Sequence, residues 1–396
     1  MINSLKKLIT KKGPPIALID NWRDQYFGYA IWEFEETLIW NYDGLYLSGV
    51  KQEKASLNQV QKIFNRWKNG SNEISAFGYI NYNFKDILYP HIRFKKTDER
   101  FPLLFFAKPK KIFKYKIQGS KNTTLDFLHL NSDILDLNEY KKIIKKIKHE
   151  LLNGNVYQIN FTMPKKFKVD KDALSLYFYF RNIAKPKFGY YLNYNKYQIL
   201  SFSPEQFFKV KNNIISSYPM KGTISRADNK IKDEKLKINL SNSIKDKAEH
   251  LMIVDLLRND IGKIAKMGTV KVHDMYKIES HPTVHQMISC ISGELKDNMK
   301  DIHIIEALFP GGSVTGAPKE SAMKIIDQLE TYSRNLYTGA IGYIKNNGDM
   351  NFNIPIRTLT INNGVATYPV GGGIVWDSNY KDEWAEAQLK SKILNM

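Results

Sequence analysis

The arrangement of apolar segments along the chain predicts an α+β protein. Before residue 135, short apolar segments are separated by Gly, Pro and Asn, which is typical of strands joined by turns. After this point, strand-like segments alternate with longer segments of helical periodicity. The glycine-rich segment Gly371–Val375 lacks the G-x-G-x-x-G spacing of dinucleotide-binding proteins. These observations favour antiparallel strands in meander order with helices between them.

The chain is predicted to have an N-terminal β-rich part, residues 1–135, and a second part, residues 136–396, which intertwine in one domain. In the first part we predict strands at Ile16–Ile19, Tyr29–Trp32, Gly78–Tyr82, Phe101–Phe106 and Ile112–Tyr115. In the second part we predict helices at Asn138–Asn153, from Ser243 through Ile261, at Ala317–Leu329 and at Asp382–Leu394. Further strands are predicted at Tyr337–Ile344, Asn351–Ile361 and Val365–Val375.

Composition favours a soluble, cytoplasmic protein that binds an anionic small molecule. The formal net charge is +19, from 59 basic and 40 acidic residues, but lysines are scattered and no nucleic-acid-binding motif is evident. Nucleic-acid binding is therefore not expected. The chain has one cysteine, Cys290, so it cannot form an internal disulfide. No apolar segment is long enough for a membrane span or a signal peptide.

Three acidic residues are candidates for holding a divalent cation. Glu383, Glu386 and Lys390 share one helix face, and two carboxylates there could hold Mg²⁺, which prefers oxygen ligands. The alternative is a surface helix with a Glu386–Lys390 ion pair. Glu249 lies in a partly apolar helix, where a carboxylate needs a partner or a metal. Its alternatives are pairing with Lys245 or an exposed position.

Glycine-rich segments and one arginine are candidates for binding an anion. Pro310–Lys319 leads into a predicted helix and carries Ser313 and Thr315, so it could form an anion cradle at a helix N-terminus. Tyr368–Ser378 could form another cradle, and tight turns are the alternative for both. Arg357 lies in an apolar strand and could clamp a carboxylate, or it could lie on an exposed strand face.

A lysine and a glutamate in aromatic surroundings are candidates for covalent and acid catalysis. Lys221 lies between Met220 and Gly222, where a dehydrated amine would have a lowered pKa and could act as a nucleophile. Glu205, in the segment SPEQFF, could act as a general acid. Spacing alone does not establish either role.

Nine segments, in order, resemble the chorismate-utilising enzymes, a family that includes anthranilate, aminodeoxychorismate, isochorismate and salicylate synthases. The segments are GNVYQINFT (154–162), SPEQFF (203–208), PMKGT (219–223), KDKAEHLMIVDLLRNDIG (245–262), FPGGSVTGAPKESAMKIIDQLE (309–330), YTGAIGY (337–343), IRTL (356–359), GGGIVWDS (371–378) and E-x-x-E-x-x-x-K (383–390). The resemblance implies two stacked antiparallel sheets with helices outside, and residues 136–396 as the chorismate-binding catalytic region.

Two positions distinguish the reactions within this family. Members similar to aminodeoxychorismate synthases have a lysine where this chain has Lys221, whereas anthranilate synthases have an alanine. Hydrating members have a water-activating lysine where this chain has Gln158. The resemblance therefore implies amination of chorismate at C4 through a covalent lysine. Two alternatives stay open: anthranilate synthesis, and a non-catalytic chorismate-binding protein.

The resemblance also implies roles for individual residues. Lys221 is expected to be the nucleophile and Glu205 the general acid. Glu249, Glu386 and Glu383 are expected to hold Mg²⁺. The expected substrate-binding residues are Arg357, Tyr337, Gly372, Gly373, Thr223, Thr315, Gly316, Lys390 and Gln158. Ammonia is expected from a separate glutamine amidotransferase subunit.

One position departs from the pattern of many relatives. They have a histidine directly before the [LIM]-[VI]-S triplet, where this chain has Gln286, with His285 one residue earlier. Adjacent residues of a strand point to opposite faces, so His285 is not expected to replace that histidine.

Overall fold

The computed structural model describes residues 3–22, 27–95, 101–117, 128–133, 135–280 and 284–391. Its helices are α1 (Leu5–Lys12), α2 (Leu57–Lys68), α3 (Lys85–Leu88), α4 (Leu137–Leu152), α5 (Ala173–Ala184), α6 (Lys230–Asn242), α7 (Ile244–Ile264), α8 (Asp301–Leu308), α9 (Lys319–Leu329) and α10 (Tyr380–Ser391). Short 3₁₀ turns lie at Tyr82–Phe84 and Gly312–Val314. None of the helices within these ranges is long and apolar enough to cross a membrane.

The strands form one continuous hydrogen-bonded network. They are β1 (Asn3–Ser4), β2 (Ala17–Asn21), β3 (Phe27–Asn41), β4 (Gly44–Leu47), β5 (Val50–Lys51), β6 (Ile74–Ile80), β7 (Leu104–Lys116), β8 (Leu128–Asp133), β9 (Gln158–Val169), β10 (Phe188–Tyr194), β11 (Tyr197–Ser203), β12 (Gln206–Lys211), β13 (Ile214–Ser217), β14 (Met220–Ser225), β15 (Lys271–Ser280), β16 (Val284–Glu294), β17 (Gly316–Ala317), β18 (Ala340–Lys345), β19 (Met350–Asn353), β20 (Thr358–Asn362) and β21 (Val365–Ile374).

Alternation of side chains along the strands places one core between two layers and two cores outside them. On β6, Phe77 and Tyr79 enter the central core, whereas Ala76 and Ile80 enter an outer core shared with α2, α7 and α8. The other outer core contains residues of α4, α5, α9 and α10. The rings of Phe77 and Tyr190 stack across the central core at 6.1 Å. The predicted α+β fold with stacked layers and outer helices is confirmed.

Strands from the two ends of the chain are neighbours in this network. β2 pairs with β10, and β6 pairs with β18, so residues before and after position 135 share hydrogen-bonded ladders. The same topology brings β9 beside β21, which run antiparallel from Val365 opposite Lys168 to Ile374 opposite Ile159. The glycines at 371–373 therefore lie beside the start of β9.

Several predicted elements have different bounds, and prolines explain most of the differences. The predicted strand Phe101–Phe106 begins three residues too early, and its remainder forms one strand, β7, with the predicted strand Ile112–Tyr115. β7 accommodates Pro109 at a register shift against β3. The predicted strand Asn351–Ile361 is wrong as one element. It is interrupted between β19 and β20, where Pro355 has no amide hydrogen and Arg357 has a left-handed φ of 52°.

The predicted helices lie close to the observed ones. Ser243 caps α7, its Oγ accepting from the Asp246 amide at 3.2 Å. Helix α9 begins after Pro318 rather than at Ala317, because Ala317 pairs with β9. Tyr337 precedes β18 in a turn, its amide donating to the Arg334 carbonyl at 3.0 Å. The predicted end of the last helix, at Leu394, lies outside the described residues.

Candidate active site

Lys221 lies at a β-bulge, which explains how a strand residue is directed into the site. The register between β14 and β16 shifts between Lys221 and Thr223, and Gly222 there has a left-handed φ of 62°. The amine is partly buried, and burial lowers the pKa of Lys221 against the attraction of Glu249. The lysine therefore loses its proton more easily than a solvated lysine does.

Glu205 lies between β11 and β12 and is 8% exposed. Its Oε1 accepts a hydrogen bond from the Ser313 hydroxyl at 2.8 Å. Burial raises the pKa of Glu205, although this bond and the charges of Lys221 and Lys390 oppose the shift. A buried carboxyl with a raised pKa can keep a proton to donate.

Gln158, the first residue of β9, is fully buried. Among the described residues, neither its amide nitrogen nor its amide oxygen has a hydrogen-bond partner. The amide lies beside Gly373, where an added β-carbon would be 3.1 Å from Gln158 Nε2 and 2.9 Å from Lys221 Nζ. A buried polar group without a partner is unusual, so this amide is a strong candidate for contact with a ligand.

Three glutamates from two helices lie around the same region. Glu249 is on α7, partly buried, with Lys245 Nζ 4.0 Å from its Oε1. On α10, Glu383 Oε1 accepts from the Ser378 hydroxyl at 2.7 Å, and Glu386 Oε1 pairs with Lys390 Nζ at 2.7 Å. A β-carbon added to Gly372 would be 3.4 Å from Glu383 Oε2 and 4.0 Å from Glu386 Oε1.

Electrostatics show that these carboxylates repel one another. Burial and the neighbouring charge of Glu383 raise the pKa of Glu249, and burial and the charge of Glu386 raise the pKa of Glu383. For Glu386, partial burial raises the pKa, but the hydrogen bond and charge of Lys390 together with the charges of Lys221 and Lys245 outweigh it, so the net shift is downward. Mutually repelling oxygen ligands favour a cation between them.

The donor chemistry of this cluster fits Mg²⁺. All three side chains offer oxygen, and Mg²⁺ commonly uses only one or two protein carboxylates and keeps several waters. Within the described ranges, no group of three or more His, Cys, Asp or Glu side chains could hold a metal ion in the positions observed. Mg²⁺ binding by these glutamates would therefore require their side chains to move, or water and substrate to supply most of the ligands.

Arg357 and Tyr337, the two residues predicted to hold the same carboxylate, differ in exposure. Arg357 is exposed and keeps its left-handed backbone although it is not glycine, a conformation that is common at functional sites. Its charge lies close enough to Tyr368 to oppose the burial that raises the pKa of that phenol. Tyr337 is buried, close enough to Glu205 for the two to interact electrostatically.

The remaining predicted substrate-binding residues differ in how exposed they are and in the contacts they already make. Thr223 is exposed, and its hydroxyl accepts from Gln286 Nε2 at 3.3 Å. Thr315 is fully buried, and its hydroxyl donates to the Gly311 carbonyl at 2.8 Å. Gly316 has a φ of 147°, and an added β-carbon would lie 2.1 Å from the Gln158 carbonyl oxygen. Glycine is therefore needed there for close packing against β9.

The segment Pro310–Lys319 does not place its hydroxyls at a helix N-terminus, so this part of the anion-cradle prediction is wrong. Ser313 lies in the 3₁₀ turn Gly312–Val314, and Gly316 begins the short strand β17. The two segments separate the hydroxyls from the first turn of α9. The turn instead presents Ser313 to Glu205.

His285 and Gln286 point to opposite faces of β16, as strand alternation predicts. Its Nε2 lies 3.0 Å from Asp233 Oδ1, and its Nδ1 lies 2.8 Å from Ser280 Oγ. Gln286 instead faces Thr223. No other polar role is needed for His285, because both ring nitrogens have partners.

Two buried residues near the site were not found from the sequence as candidates. His250 follows Glu249, and its Nε2 lies 2.8 Å from Ser289 Oγ; burial lowers its pKa to about 4. Arg334 lies between α9 and β18 and is 3% exposed. The only sequence signal for Arg334 was a charged residue beside the YTGAIGY segment, which gives no indication of burial.

Comparison with known proteins identifies the family of this chain. The chain matches the family described as chorismate binding enzyme over residues 30–396. It is 35% identical over 331 residues to anthranilate synthase component 1 of Saccharolobus solfataricus, covering 80% of this chain and 79% of that protein. It is 40% identical over 248 residues to aminodeoxychorismate synthase component 1 of Escherichia coli, covering 63% of this chain and 55% of that protein. The match thus spans about half the length of the Escherichia coli relative.

Solved structures share the fold. Anthranilate synthase component I of Streptococcus pneumoniae superposes with a TM-score of 0.82 at 24% identity, covering 92% of this chain and 91% of that chain. A putative 2,3-dihydroxybenzoate-specific isochorismate synthase of Bacillus anthracis superposes with a TM-score of 0.78 at 20% identity, with 98% of both chains covered. From the family match and these relatives, the chain belongs to the chorismate binding enzyme family, which confirms the resemblance seen in its motifs.

Proposed function

We propose that this chain replaces the 4-hydroxyl of chorismate with an amino group, giving 4-amino-4-deoxychorismate for 4-aminobenzoate and folate synthesis. One observation carries the proposal. The partly buried amine of Lys221 and the amide of Gln158, which has no partner among the described residues, both lie beside Gly373. Relatives named aminodeoxychorismate synthase component 1, at 36% and 40% identity, support it.

In the first step, the neutral Lys221 amine attacks C2 of the chorismate ring. Both conjugated ring double bonds shift, the C4–O bond breaks, and Glu205 gives its proton to the departing hydroxyl, which leaves as water. In the second step, ammonia attacks C4, both double bonds shift back, and the C2–N bond breaks to release the lysine as a neutral amine. The new C4 ammonium group then gives one proton back to Glu205. A covalent nucleophile divides one difficult displacement into two easier steps.

Charge complementarity supports the placement of the dicarboxylate substrate. Arg357 and Tyr337 would hold the enolpyruvyl carboxylate, together with backbone amides at Gly372 and Gly373. Lys390, whose Nζ bonds the Gly371 carbonyl at 2.8 Å, would orient the glutamates or the substrate. Thr223, Thr315, Gly316 and Gln158 complete the proposed binding surface.

Glu249, Glu383 and Glu386 would hold Mg²⁺. When bound, the ion would pair with the ring carboxylate of chorismate and take up negative charge as the π-electrons shift. The protein's own contribution is to hold the carboxylates on two helices, α7 and α10.

Ammonia would come from a separate glutamine amidotransferase subunit. The relatives are named as component 1 of their synthases, which supports a second component. Cys290, the one cysteine of this chain, lies in β16, and burial raises the pKa of its thiol, so it lacks the activated thiolate of a glutaminase nucleophile.

Anthranilate synthesis is the competing function. It is supported by the match to anthranilate synthase component 1 of Saccharolobus solfataricus, which covers 79% of that protein. Chromatography of the products from chorismate, ammonia and Mg²⁺ distinguishes the two. We expect 4-amino-4-deoxychorismate, which retains the enolpyruvyl group. Fluorescent anthranilate with release of pyruvate would overturn the proposal, and so would the absence of any amine product.

A further inference from the structure

A buried arginine outside the predicted site contacts three separate segments that carry predicted site residues. Arg334 Nη2 donates to the Asn160 carbonyl at 2.6 Å. Its Nη1 donates to the Val314 carbonyl at 2.8 Å and to Thr338 Oγ1 at 3.2 Å. One guanidinium group thereby joins β9, the 3₁₀ turn Gly312–Val314 and the turn before β18.

Each of these contacts is one or two residues from a predicted site residue. Asn160 follows Gln158 by two positions on β9, and Val314 directly follows Ser313, the hydroxyl donor to Glu205. Thr338 directly follows Tyr337, has a left-handed φ of 62°, and donates to the Tyr337 carbonyl at 2.6 Å.

The other contacts of Arg334 fix its own position. Its Nε and Nη2 donate to the two carboxylate oxygens of Glu330, at 2.8 and 2.7 Å. Glu330 Oε1 also accepts from the amide and hydroxyl of Thr162, at 2.8 and 2.7 Å. The ring of Tyr82 covers the guanidinium at 4.7 Å. All five N–H groups of the arginine are thus used, which a lysine with three donors on one atom cannot reproduce.

A fully buried ion pair of this kind contributes little net stability, because removing both charges from water offsets their attraction. Its geometric effect is larger, since every donor is directed at a fixed acceptor. We propose that Arg334, held by Glu330, is a positioning residue that sets the relative placement of Gln158, Ser313 and Tyr337 around chorismate. This inference rests on the proposed function in one respect, namely that Glu205 acts as the general acid.

The hydrogen bond between Ser313 and Glu205 makes the pH–rate profile a test of this proposal, because a residue with only a structural role would not change that profile. Losing Arg334 frees the turn, weakens the Ser313–Glu205 hydrogen bond and so raises the pKa of Glu205, because that bond favours the ionised form. The charged or titratable groups that act on Glu205 are Lys221, Lys390 and Tyr337. The basic limb of the pH–rate profile, where the acid loses its proton, then moves to higher pH.

The experiment compares Arg334→Lys with Ser313→Ala and with a matched control, Arg181→Lys. Arg181 is also buried and pairs with Asp20 at 3.1 Å, and its guanidinium stacks on Phe178 rather than contacting the site segments. Chorismate affinity is measured by calorimetry, and turnover is measured across pH at temperatures where each variant is folded.

We expect Arg334→Lys to bind chorismate at least about tenfold more weakly than the natural protein, and to move the basic limb in the same direction as Ser313→Ala. Arg181→Lys should lose thermal stability and keep affinity and profile within about twofold. If Arg334→Lys and Arg181→Lys are equally active when folded, or if only Ser313→Ala moves the limb, the proposal is overturned.

If Arg334→Lys does not fold, Thr338→Val tests the proposal in its place, because this variant removes one hydrogen-bond acceptor of Arg334 with little change of shape. A smaller loss of affinity and the same direction of pH shift support the proposal, and unchanged behaviour overturns it. A natural protein that binds chorismate but makes no amine would refute the proposed function alone. The affinity comparison would still test Arg334.

Discussion

The Nζ atom of Lys221 and the side-chain amide of Gln158 lie over the same backbone position, the α-carbon of Gly373. The two residues come from β14 and β9, and the glycine comes from β21. The absence of a side chain at position 373 leaves the space that both polar groups face. An amine and an unpaired amide can therefore meet one substrate from adjacent directions.

Replacing Gly373 with alanine is expected to reduce activity with little loss of stability. The added β-carbon would lie 2.9 Å from Lys221 Nζ, whose flexible end can move away at low energetic cost, and 3.1 Å from Gln158 Cδ and Nε2, which would have to shift slightly. We expect kcat/KM to fall by at least about tenfold while the melting temperature changes little. Steady-state kinetics and thermal unfolding measure both quantities.

Gly262→Ala is the matched control for this prediction. Gly262 lies in α7, and an added β-carbon there meets no atom within 4 Å. Alanine favours the helix by about 0.5–1 kcal/mol over glycine, so this variant should be slightly more stable and equally active. An active Gly373→Ala enzyme would show that Lys221 does not need its observed position.

Replacing Gln158 with leucine is expected to stabilise the protein and weaken chorismate binding. Both amide atoms of Gln158 are buried without a partner among the described residues. Removing such groups should raise the free energy of unfolding by about 1–3 kcal/mol, because their lost hydration is no longer a cost. Denaturant unfolding and calorimetric titration with chorismate test the two effects.

Gln61→Leu provides the contrasting control. Gln61 is also buried, but its amide donates to Asp301 Oδ2 at 3.1 Å and its oxygen accepts from the Ile302 amide at 3.0 Å. The same substitution should therefore destabilise the protein there, by about 1–3 kcal/mol. If both leucine variants lose stability equally, the Gln158 amide has a partner that the structure does not show.

The amine of Lys221 should control the acidic limb of the pH–rate profile. The nucleophile must be neutral, and burial lowers the pKa of Lys221, so activity should rise with pH through that lowered value. Lys221→Arg should abolish amine formation, because arginine stays charged. Mass spectrometry of the natural protein with chorismate and no ammonia should detect a lysine adduct, and an adduct in Lys221→Arg would contradict this assignment.

The free energy of unfolding should also depend on the protonation of Lys221, and this dependence should make it rise with pH. Between the lowered folded pKa and the ordinary unfolded pKa of Lys221, the unfolded chain binds more protons, so its titration makes stability rise with pH. Lys221→Met should remove this contribution. Unfolding measured over that pH range in both proteins gives the comparison, and identical slopes would show that Lys221 is well hydrated.

Mg²⁺ binding should depend on glutamates of two helices. We expect Mg²⁺ to raise the melting temperature of the natural protein, and Glu386→Gln or Glu249→Gln to weaken Mg²⁺ affinity by at least about tenfold. Titration calorimetry with Mg²⁺ alone tests this without turnover. Asp255→Asn, on the exposed face of α7 where it pairs with Arg258, should bind Mg²⁺ normally; equal loss in this control would indicate a general charge effect.

The sequence by itself determined the fold class and most of the elements that carry the site. Turn residues and apolar periodicity predicted α4, α7 and β21 to within a few residues, because these signals are local. The ordered motifs predicted the family. Strand alternation also indicated that His285 would point to the opposite face of its strand from Gln286, as it does.

Only the tertiary structure decided how distant segments meet. The bulge at Lys221 and the turn that presents Ser313 to Glu205 depend on neighbouring strands. Arg334 was not predicted, because two of its five acceptors, the carbonyl groups of Val314 and Asn160, lie in segments distant in sequence. Local patterns report which face of an element is apolar, whereas burial of a charge is set by long-range packing.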